Sequence, residues 1–436
     1  MIRLLCSVIL ALTMSSCTHG EVLTHGGKQV RYYGRFSNKK VWLPAQMTVP
    51  TKEFRAIWVA TVLNLDFPSH VTIASFKRDA AKLMKDIKNA NFNTVIFQVR
   101  SNCDAWYPSS YNPYSKFYTG YEGVGLKDFD PLAYLISQAR LNNLEFHAWF
   151  NPYRVLADTR LTKKAMLSKL SQFNFARINP DTVLTVEHGD GRRTFFLDPG
   201  NPKVVNHINA TVDEVVKRYK PDGIHFDDYF YLYRDIANAD ANSFKRFNPN
   251  KLKLHDWRRN NVTTLIRKVQ FTVKRGLSYQ NKPIAFGVSP FGIWQNKSNS
   301  PYGSYTAGKE SYSLLYADVR LWVKKGYIDY VIPQLYWQFN HPECAYAGLT
   351  SWWCQQVKGT KVKLYTGLAP YRIGSSADWS ENELFNQLRF NRTKREISGF
   401  AMFSARHVLR PQNKKMSIGV NKVVQHLGKT SNVRPN

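Results

Sequence analysis

Eight short apolar or alternating segments occur along this chain, and helical periodicity fills most of the intervals between them. Strands that alternate with helices form parallel sheets, because each helix returns the chain to the same end of the sheet. Eight such units close a barrel, so the sequence predicts an α/β fold of the (β/α)8 TIM-barrel class over residues 54–410. The predicted strands are residues 54–61, 94–99, 144–150, 223–227, 284–288, 330–335, 363–368 and 399–403.

Start signals and loop lengths support the same architecture. Ser75 is placed to cap a helix over 76–89, and Asn201 followed by Pro202 begins a helix that runs to Tyr219. The segments after strands two to five are long, which predicts a site built from βα loops at the carboxyl-terminal face. Further elements are expected as helices over 256–275, 314–325 and 381–394, a hairpin over 182–197 that walls the site, and a helix or tail over 411–436.

The first residues have the features of an export signal. Arg3 precedes an apolar stretch over 4–14 that is too short to span a bilayer, and small residues then lead into Cys17. This order resembles a bacterial lipobox, which predicts a signal peptide over 1–16 and a stable lipid anchor on Cys17. An ordinary signal peptide with an incidental cysteine is the alternative. Residues 17–53 are polar and weakly patterned, as expected of a lipidated cysteine and spacer.

The chain carries 61 lysine and arginine residues against 31 aspartate and glutamate residues, a formal charge of +30. This excess is spread along the chain and indicates an anionic partner. Nucleic acid is disfavoured, because no zinc-ligand spacing, RNP motif or basic heptad helix is present, so an anionic glycan or a membrane fits better. The spacing of Cys344 and Cys354 permits a disulfide, which would leave Cys103 unpaired. No cluster has metal-ligand spacing, so neither a metal nor a cofactor is expected.

Two adjacent aspartates follow the fourth predicted strand. Alternation along the strand directs His225 and Asp227 towards the barrel axis, and Asp228 lies where the strand ends. Two neighbouring carboxylates drive their pKa values apart, which leaves one protonated as a general acid and the other charged. Glycosidic cleavage requires that division, so Asp227 and Asp228 are the candidate catalytic residues. A turn cap at Asp228 with an ion pair at Asp227 is the structural alternative.

Adjacent carboxylates are closer in sequence than the usual catalytic pair of a glycosidase, whose members lie on opposite sides of the sugar. A 2-acetamido group of the substrate can then act as the nucleophile, with Asp227 orienting it and Asp228 protonating the leaving oxygen. A second, distant carboxylate is the other option, and Asp104 after the second strand is a candidate for it. Both schemes need one of the two adjacent aspartates as the acid.

Polar and aromatic residues are concentrated where the predicted strands end, although a barrel core alone would not require them. Aromatic faces can stack on sugar rings, amides can bind hydroxyl or acetamido groups, and arginine can pair with a carboxylate. For each residue, a structural hydrogen bond or a packing contact is the competing interpretation. The candidate substrate contacts are Gln98, Arg100, Asp104, Trp149, Asn151, Tyr153, Arg154, His225, Tyr229, Ser289, Trp294, Gln334, Tyr336 and Trp337, with Tyr231 as a further aromatic.

Six motifs occur in order between residue 54 and about residue 403. They are FRAIWVAT at 54–61, VIFQV at 95–99, HAWFNPYRV at 147–155, LDPG at 197–200, DGIHFDDYFY at 222–231 and FGVSP at 286–290. Together they resemble glycosyl-hydrolase-like family 10, and within it the lipoproteins of the Gram-negative division site. The length and order of the motifs make this resemblance specific.

The resemblance implies a glycoside hydrolase that cleaves peptidoglycan glycan strands stripped of their stem peptides. It also implies a role in cell division, divisome proteins as partners, and a lipid-anchored location on the periplasmic face of the outer membrane. Thr18 after the lipidated cysteine, with no aspartate there, agrees with export to that membrane. Two other functions stay open. The chain could be a non-catalytic glycan-binding lipoprotein of the divisome, or it could hydrolyse another amino-sugar polysaccharide.

Overall fold

The computed structural model of the protein describes residues 20–47, 50–375 and 379–429. The expected signal peptide and the expected lipidation site Cys17 lie outside these residues, as does the end of the predicted tail after residue 429. Within the described ranges, no helix combines the length and the apolar character that crossing a membrane requires.

Eight parallel strands close into a barrel, which confirms the predicted fold class. They are β1 (Phe54–Val59), β2 (Thr94–Arg100), β3 (Glu145–Phe150), β4 (Gly223–Phe226), β5 (Ala285–Val288), β6 (Tyr330–Val331), β7 (Lys363–Leu368) and β8 (Ile397–Met402). Each strand pairs with its neighbours in chain order, and β8 pairs with β1, so this sheet has no free edge. In the register of β4, Phe226 lies opposite Phe150 of β3 and Val288 of β5.

Four strands, β1, β4, β6 and β8, end earlier than the sequence pattern predicts, and the ends of β6 and β4 bear on the site. The sixth predicted strand, residues 330–335, keeps only its first two residues, because Pro333 supplies no N–H for a ladder hydrogen bond. The fourth ends at Phe226, so Asp227 follows the sheet instead of closing the strand. The backbone is therefore free to turn after Phe226, and both aspartates lie at the carboxyl-terminal mouth of the barrel.

Helices surround the barrel and pack their apolar faces against it. The helix after the third strand buries Val204, Ile208 and Val212 in this way. The helix expected over 314–325 is shorter and begins only at Val319. The helices are Ile73–Asn89, Lys116–Thr119, Pro131–Leu141, Lys163–Lys169, Phe175–Ile178, Pro202–Tyr219, Ala241–Arg246, Leu254–Lys274, Val319–Lys325, Tyr346–Val357, Glu383–Asn391, Ala405–Leu409 and Lys414–Gly428.

The helix caps are partly those that the sequence indicates. The Asn201 side chain accepts the N–H of Lys203 at 3.0 Å, so the predicted cap of that helix is confirmed. The predicted cap Ser75 is wrong, because the helix begins earlier. The cap there is Thr72, whose hydroxyl accepts the N–H of Ser75 at 3.2 Å. Both Thr72 and Ser75 are good cap residues, and the sequence alone does not separate them.

The long loop after β3 carries a small antiparallel sheet. Its strands Val183–Glu187 and Arg193–Leu197 form the predicted hairpin. A third strand, Arg154–Thr159, pairs with Arg193–Leu197 on the other side and was not predicted from the sequence. The hairpin strands are thereby joined to the segment that directly follows β3.

The described part of the N-terminal segment is folded onto the barrel. Gly20–Val22 pairs with Trp42–Pro44, and Arg389 Nη1 donates to the Glu21 carboxylate at 2.8 Å. The interpretation of residues 17–53 as a spacer is therefore wrong for residues 20–47. The polar composition was misleading because a few specific contacts, such as the hydrogen bond of Tyr32 with Ser351 and that of Arg389 with the Pro44 carbonyl, hold this largely exposed segment on the barrel.

The three described cysteines, Cys103, Cys344 and Cys354, are buried free thiols. A disulfide between Cys344 and Cys354, which the spacing permits, is therefore absent. Burial raises the pKa of Cys103 to about 11, so this residue stays a protonated and unreactive thiol at neutral pH.

Candidate active site

The acidic pair lies at the carboxyl end of β4, where Asp227 and Asp228 are each only 6% exposed. Along β4, Ile224 and Phe226 join the core outside the barrel, whereas His225 points inside and binds the Tyr330 hydroxyl at 3.1 Å. The same alternation directs Asp227 inward, as predicted. The pair is thus held by a rigid strand and enclosed by the residues that follow the neighbouring strands.

Three donors surround the Asp227 carboxylate. Oδ2 accepts from Trp149 Nε1 at 3.1 Å and from Asn151 Nδ2 at 3.0 Å, and Oδ1 accepts from the Tyr229 backbone N–H at 3.1 Å. Asn151 is itself fixed, since its Oδ1 accepts the N–H of Arg154 at 3.1 Å. Burial raises the pKa of Asp227, whereas the charge of Arg154 and these hydrogen bonds oppose the rise. Asp227 is therefore the member of the pair that is equipped to hold a negative charge.

Asp228 has less support for a negative charge. Its carboxylate accepts hydrogen bonds from the Tyr233 hydroxyl and the Gln334 amide. Burial first, and the neighbouring charge of Asp227 second, raise the pKa of Asp228 to about 7. Near neutral pH, Asp228 is consequently protonated in a substantial fraction of the molecules, which is the state that a general acid needs.

A cleft of about 630 Å³ opens beside the pair. Its lining includes Tyr229 and Tyr233, the two residues whose N–H and hydroxyl bind the aspartates. His188 and Thr194 of the hairpin line it as well, so the hairpin walls the cleft as predicted. A ligand in this cleft would lie against the residues that hold the acidic pair.

Positive charge predominates in the lining of this cleft. Lys116, Arg154 and Arg234 line it, and Asp158 is the one acidic residue among the described residues that do so. The Arg154 guanidinium lies 4.3 Å from the centre of the Tyr229 ring, which holds it in place. Such a cleft attracts ligands that carry carboxylate groups.

Six of the predicted substrate contacts lie at the pair or the cleft. Tyr336 lies close enough to Asp228 for the two to interact electrostatically. Burial, followed by the charges of Tyr371 and Asp228, holds the pKa of Tyr336 well above its usual range. A seventh candidate, Trp337, packs edge-on against Phe291, with the ring centres 5.6 Å apart, and is not among the described residues that line the cleft. The six are Trp149, Asn151, Arg154, Tyr229, Gln334 and Tyr336.

Other predicted contacts turn out to support the loops of the site. Arg100 is fully buried, and its Nη1 donates to the Asn151 carbonyl at 2.6 Å. Asp104 accepts the N–H groups of Ser101 and Asn102, both at 2.9 Å, and so holds a turn. The structure therefore corrects the predicted substrate contacts of Arg100 and Asp104, and Asp104 is not placed as a second catalytic carboxylate.

Gln98, His225 and Ser289 are also buried, and their predicted substrate contacts are replaced by bonds within the protein. Gln98 Oε1 accepts the N–H groups of Thr61 and Val62, each at 3.0 Å, and fixes the loop after β1. His225 Nε2 and Ser289 Oγ bind each other at 2.9 Å inside the barrel. These residues organise the floor under the pair.

Three aromatic predictions fail because the side chains pack elsewhere. Tyr153 and Tyr231 are fully buried, and the Tyr231 ring centre lies 4.8 Å from that of Tyr316. Trp294 donates to Asp318 at 3.2 Å and stacks on a tryptophan of the helix Tyr346–Val357. Aromatic residues after a strand are thus divided between the cleft and the core, and the sequence pattern does not separate them.

Tyr233, which binds Asp228 directly, was not predicted from the sequence. Tyrosines alternate at 229, 231 and 233 in the loop after β4, and the alternation itself was the available signal. Three residues that line the cleft were not predicted either, namely Lys116, Arg234 and His188. These lie in loops, where no periodic pattern reports which way a side chain points.

Comparisons with known proteins agree with this architecture. The model of the family described as Glycosyl hydrolase-like 10 matches residues 53–383, which include both aspartates. The glycosyl hydrolase YngK of Bacillus subtilis strain 168 is 38% identical over 364 residues, which cover 81% of this chain and 68% of YngK. The glycosyl hydrolase DigH of Escherichia coli strain K12 is 38% identical over 396 residues, which cover 85% of this chain and 87% of DigH.

Among solved structures, an α-L-fucosidase isoenzyme 2 from Paenibacillus thiaminolyticus is similar, with a TM-score of 0.50 and 10% sequence identity. The match covers 86% of this chain and 49% of the fucosidase chain. At this level of identity the similarity supports the barrel fold alone.

Proposed function

The chain belongs to the glycosyl hydrolase-like 10 family, and on this premise we propose that it is an active glycoside hydrolase that cleaves peptidoglycan glycan strands lacking stem peptides. The observation that carries the proposal is the buried pair beside the cationic cleft. It holds a carboxyl with a pKa of about 7, Asp228, next to a carboxylate with three hydrogen-bond donors, Asp227. A protein that only binds glycan has no need for such an acid.

In the proposed reaction, Asp228 donates its proton to the leaving glycosidic oxygen as the bond to the anomeric carbon breaks. The carbonyl oxygen of the substrate's own 2-acetamido group attacks that carbon, while Asp227 accepts the acetamide N–H and keeps the group in position. Water then opens the resulting ring, and its proton returns to Asp228. Trp149 and Asn151 keep Asp227 charged and aligned through both steps.

The positive charge of the cleft favours glycan strands without stem peptides as the substrate. In peptidoglycan, the stem peptide is attached as an amide to the lactyl carboxyl of every second sugar. Removing the peptide restores a negative charge at each of these sugars, and Lys116, Arg154 and Arg234 line the cleft that would receive them. The formal charge of +30 acts in the same direction over the whole molecule.

We further propose that the protein is a lipoprotein, anchored through Cys17 to the periplasmic face of the outer membrane, and that it acts during cell division. The N-terminal lipobox pattern supports the anchor, and the resemblance of the six sequence motifs to division-site lipoproteins supports the role in division. A Cys17→Ser variant should not incorporate labelled palmitate and should leave the outer-membrane fraction. Retention of both label and membrane location in this variant would contradict the anchor.

Digestion of purified glycan strands, with and without stem peptides, tests the activity. Full-length wild type is compared with Asp227→Asn and Asp228→Asn, and with Asp213→Asn as a matched control on a surface helix, where Asp213 pairs with Lys217 at 2.6 Å. The expected result is that fragments appear from peptide-free strands only, that both site variants abolish them, and that the control retains them.

Two outcomes would replace the proposal. If wild type binds peptide-free strands but releases no fragments from any strand, the protein is a non-catalytic glycan-binding lipoprotein. If fragments come from another amino-sugar polysaccharide and not from peptidoglycan strands, the catalytic pair stands but the substrate is different. Chromatography of the released fragments separates these cases.

A further inference from the structure

A second cleft, of about 250 Å³, lies apart from the candidate active site and shares none of its lining residues. It lies between the N-terminal segment 20–47, the long loop after β5 and the helix Tyr346–Val357. We call it the tyrosine cleft, because three tyrosines line it. The residues that define it are Tyr33, Tyr302, Tyr305, Trp352, Lys297 and Arg320.

The loop that carries two of these tyrosines is held in place by a buried carboxylate. Glu310 Oε1 accepts the backbone N–H of Asn296 at 2.8 Å, the Asn296 Nδ2 at 2.7 Å and the Asn299 Nδ2 at 2.7 Å. In addition, Trp352 Nε1 donates to the Tyr302 carbonyl at 2.9 Å. The cleft is therefore preformed, which lowers the entropy cost of binding a ligand.

The opposite wall depends on a glycine. A Cβ atom at Gly348 would lie 2.5 Å from the Tyr33 ring, so only glycine lets Tyr33 pack this closely on the helix. Tyr33 in turn packs edge-on against Tyr305, with ring centres 5.2 Å apart. The aromatic lining is thus continuous from the N-terminal segment to the loop after β5.

The charges of the tyrosine cleft have one sign. Among the described residues that line it, none is acidic, whereas Arg320 and Lys297 are both cationic. Arg320 Nε donates to Gln356 Oε1 at 3.0 Å, and its guanidinium lies 4.4 Å from the centre of the Tyr302 ring. Arg320 is held by an amide and an aromatic ring, and it forms no salt bridge with a carboxylate of the described residues, although the charge of nearby Asp318 acts on it.

We propose that the tyrosine cleft is a second binding site for an anionic glycan chain, away from the bond that is cut. Tyr302 is 61% exposed and Tyr305 is 48% exposed, so both rings offer surface on which sugar rings can stack. Arg320 and Lys297 bind carboxylates on the same chain. This inference rests on the proposed glycan substrate, and it adds that long strands are held at two places while short ones use the active site alone.

Binding to an inactive protein tests this site separately from catalysis. Full-length Asp228→Asn serves as the parent, purified peptide-free glycan strands are the probe, and Tyr302→Ala is added to the parent. Tyr279→Ala is the matched control, because Tyr279 is 64% exposed with Arg140 4.0 Å from its ring centre, but lies outside both clefts. Tyr302→Ala should weaken binding about five- to tenfold, the loss expected for one stacking ring, and Tyr279→Ala should not.

Kinetics of the active protein provide the second measurement. In an otherwise wild-type chain, Tyr302→Ala should raise KM for long strands and leave kcat/KM for a tetrasaccharide unchanged. Equal binding of long strands by the Tyr302→Ala and Tyr279→Ala variants would overturn the inference, as would an equal loss on the tetrasaccharide. If strands bind in a Tyr302-dependent way but wild type cuts none, the second site stands and only the proposed hydrolase activity fails.

Discussion

Replacing Asp228 by asparagine should stabilise the folded protein, and the gain should grow as the pH rises. The pKa of this carboxyl is 3.8 in its ordinary state and about 7 in the folded chain, where burial and the charge of Asp227 raise it. Between these two values the folded state holds the proton more tightly than the unfolded state does, so unfolding releases protons and stability falls with increasing pH. An asparagine at this position has no charge to bury and does not suffer this loss.

The magnitude follows from the two pKa values. Each pKa unit corresponds to 1.36 kcal/mol, so the burial of charged Asp228 costs about 4 kcal/mol above pH 7. At pH 5 only the interval above 3.8 contributes, and the cost is below about 2 kcal/mol. For a folded region of this size, 1 kcal/mol corresponds to roughly 1 °C in Tm. Asp228→Asn should therefore gain about 4 °C at pH 8 and about half that or less at pH 5.

Thermal unfolding of wild type and variant at pH 5 and pH 8 measures this difference. Asp213→Asn, on the surface helix, is the control and should shift Tm by a similar small amount at both pH values. A gain for Asp228→Asn that is the same at both pH values would refute the reasoning. A variant that melts below wild type at pH 8 would refute it more strongly, because the carboxylate would then be stabilising.

Three further predictions concern the same site and the cysteines. Tyr233→Phe removes a hydrogen bond that favours charged Asp228, so the pKa of Asp228 should rise by about 1 and the alkaline limb of the pH–rate profile should move to higher pH by that amount. Tyr153→Phe is the control, because the Tyr153 hydroxyl has no hydrogen-bond partner among the described residues, and it should leave the profile unchanged. Asn151→Ala should lower kcat on peptide-free strands roughly 100-fold with a small change in KM, since it frees Asp227 to rotate. A reducing agent should leave Tm unchanged, because the described cysteines are free thiols, and a drop of several degrees would contradict this.

The barrel could be predicted from sequence because its signal is periodic and is repeated eight times. Loop and cap positions were less accessible, since neighbouring residues such as Thr72 and Ser75 are equally good candidates. The N-terminal segment was misread because composition reports how polar a stretch is and not which surface it binds. The strand Gly20–Val22 is largely exposed, yet it pairs with Trp42–Pro44. Its Glu21 carboxylate also accepts a hydrogen bond from Arg389 of the barrel domain.

Within the site, the sequence predicted which residues lie at strand ends but not how deep each one lies. Asn151 and Arg100 both lie at the end of a strand, but only Asn151 reaches Asp227. Arg100 is buried deeper and donates to the Asn151 carbonyl. Depth depends on the path of the loops, and the loops here are long. Tyr233 could not be predicted for the same reason, because it reaches Asp228 from a loop with no regular structure.

The two aspartates are identical in type and adjacent in sequence, so their proposed division of roles must come from their surroundings. The end of β4 at Phe226 lets Asp227 keep the inward direction of the strand, where Trp149 and Asn151 supply donors, and leaves Asp228 to a tyrosine and an amide. Asparagine in place of Asp228 would spare the fold the cost of a buried charge. Asp228 lowers the stability of the fold at neutral pH and lies beside a cleft. Proton transfer to a ligand in that cleft explains why a carboxyl is present at this position. The same substitution should therefore raise stability and remove activity, and these opposite effects at one residue distinguish a catalytic acid from a structural aspartate, whose loss would lower both.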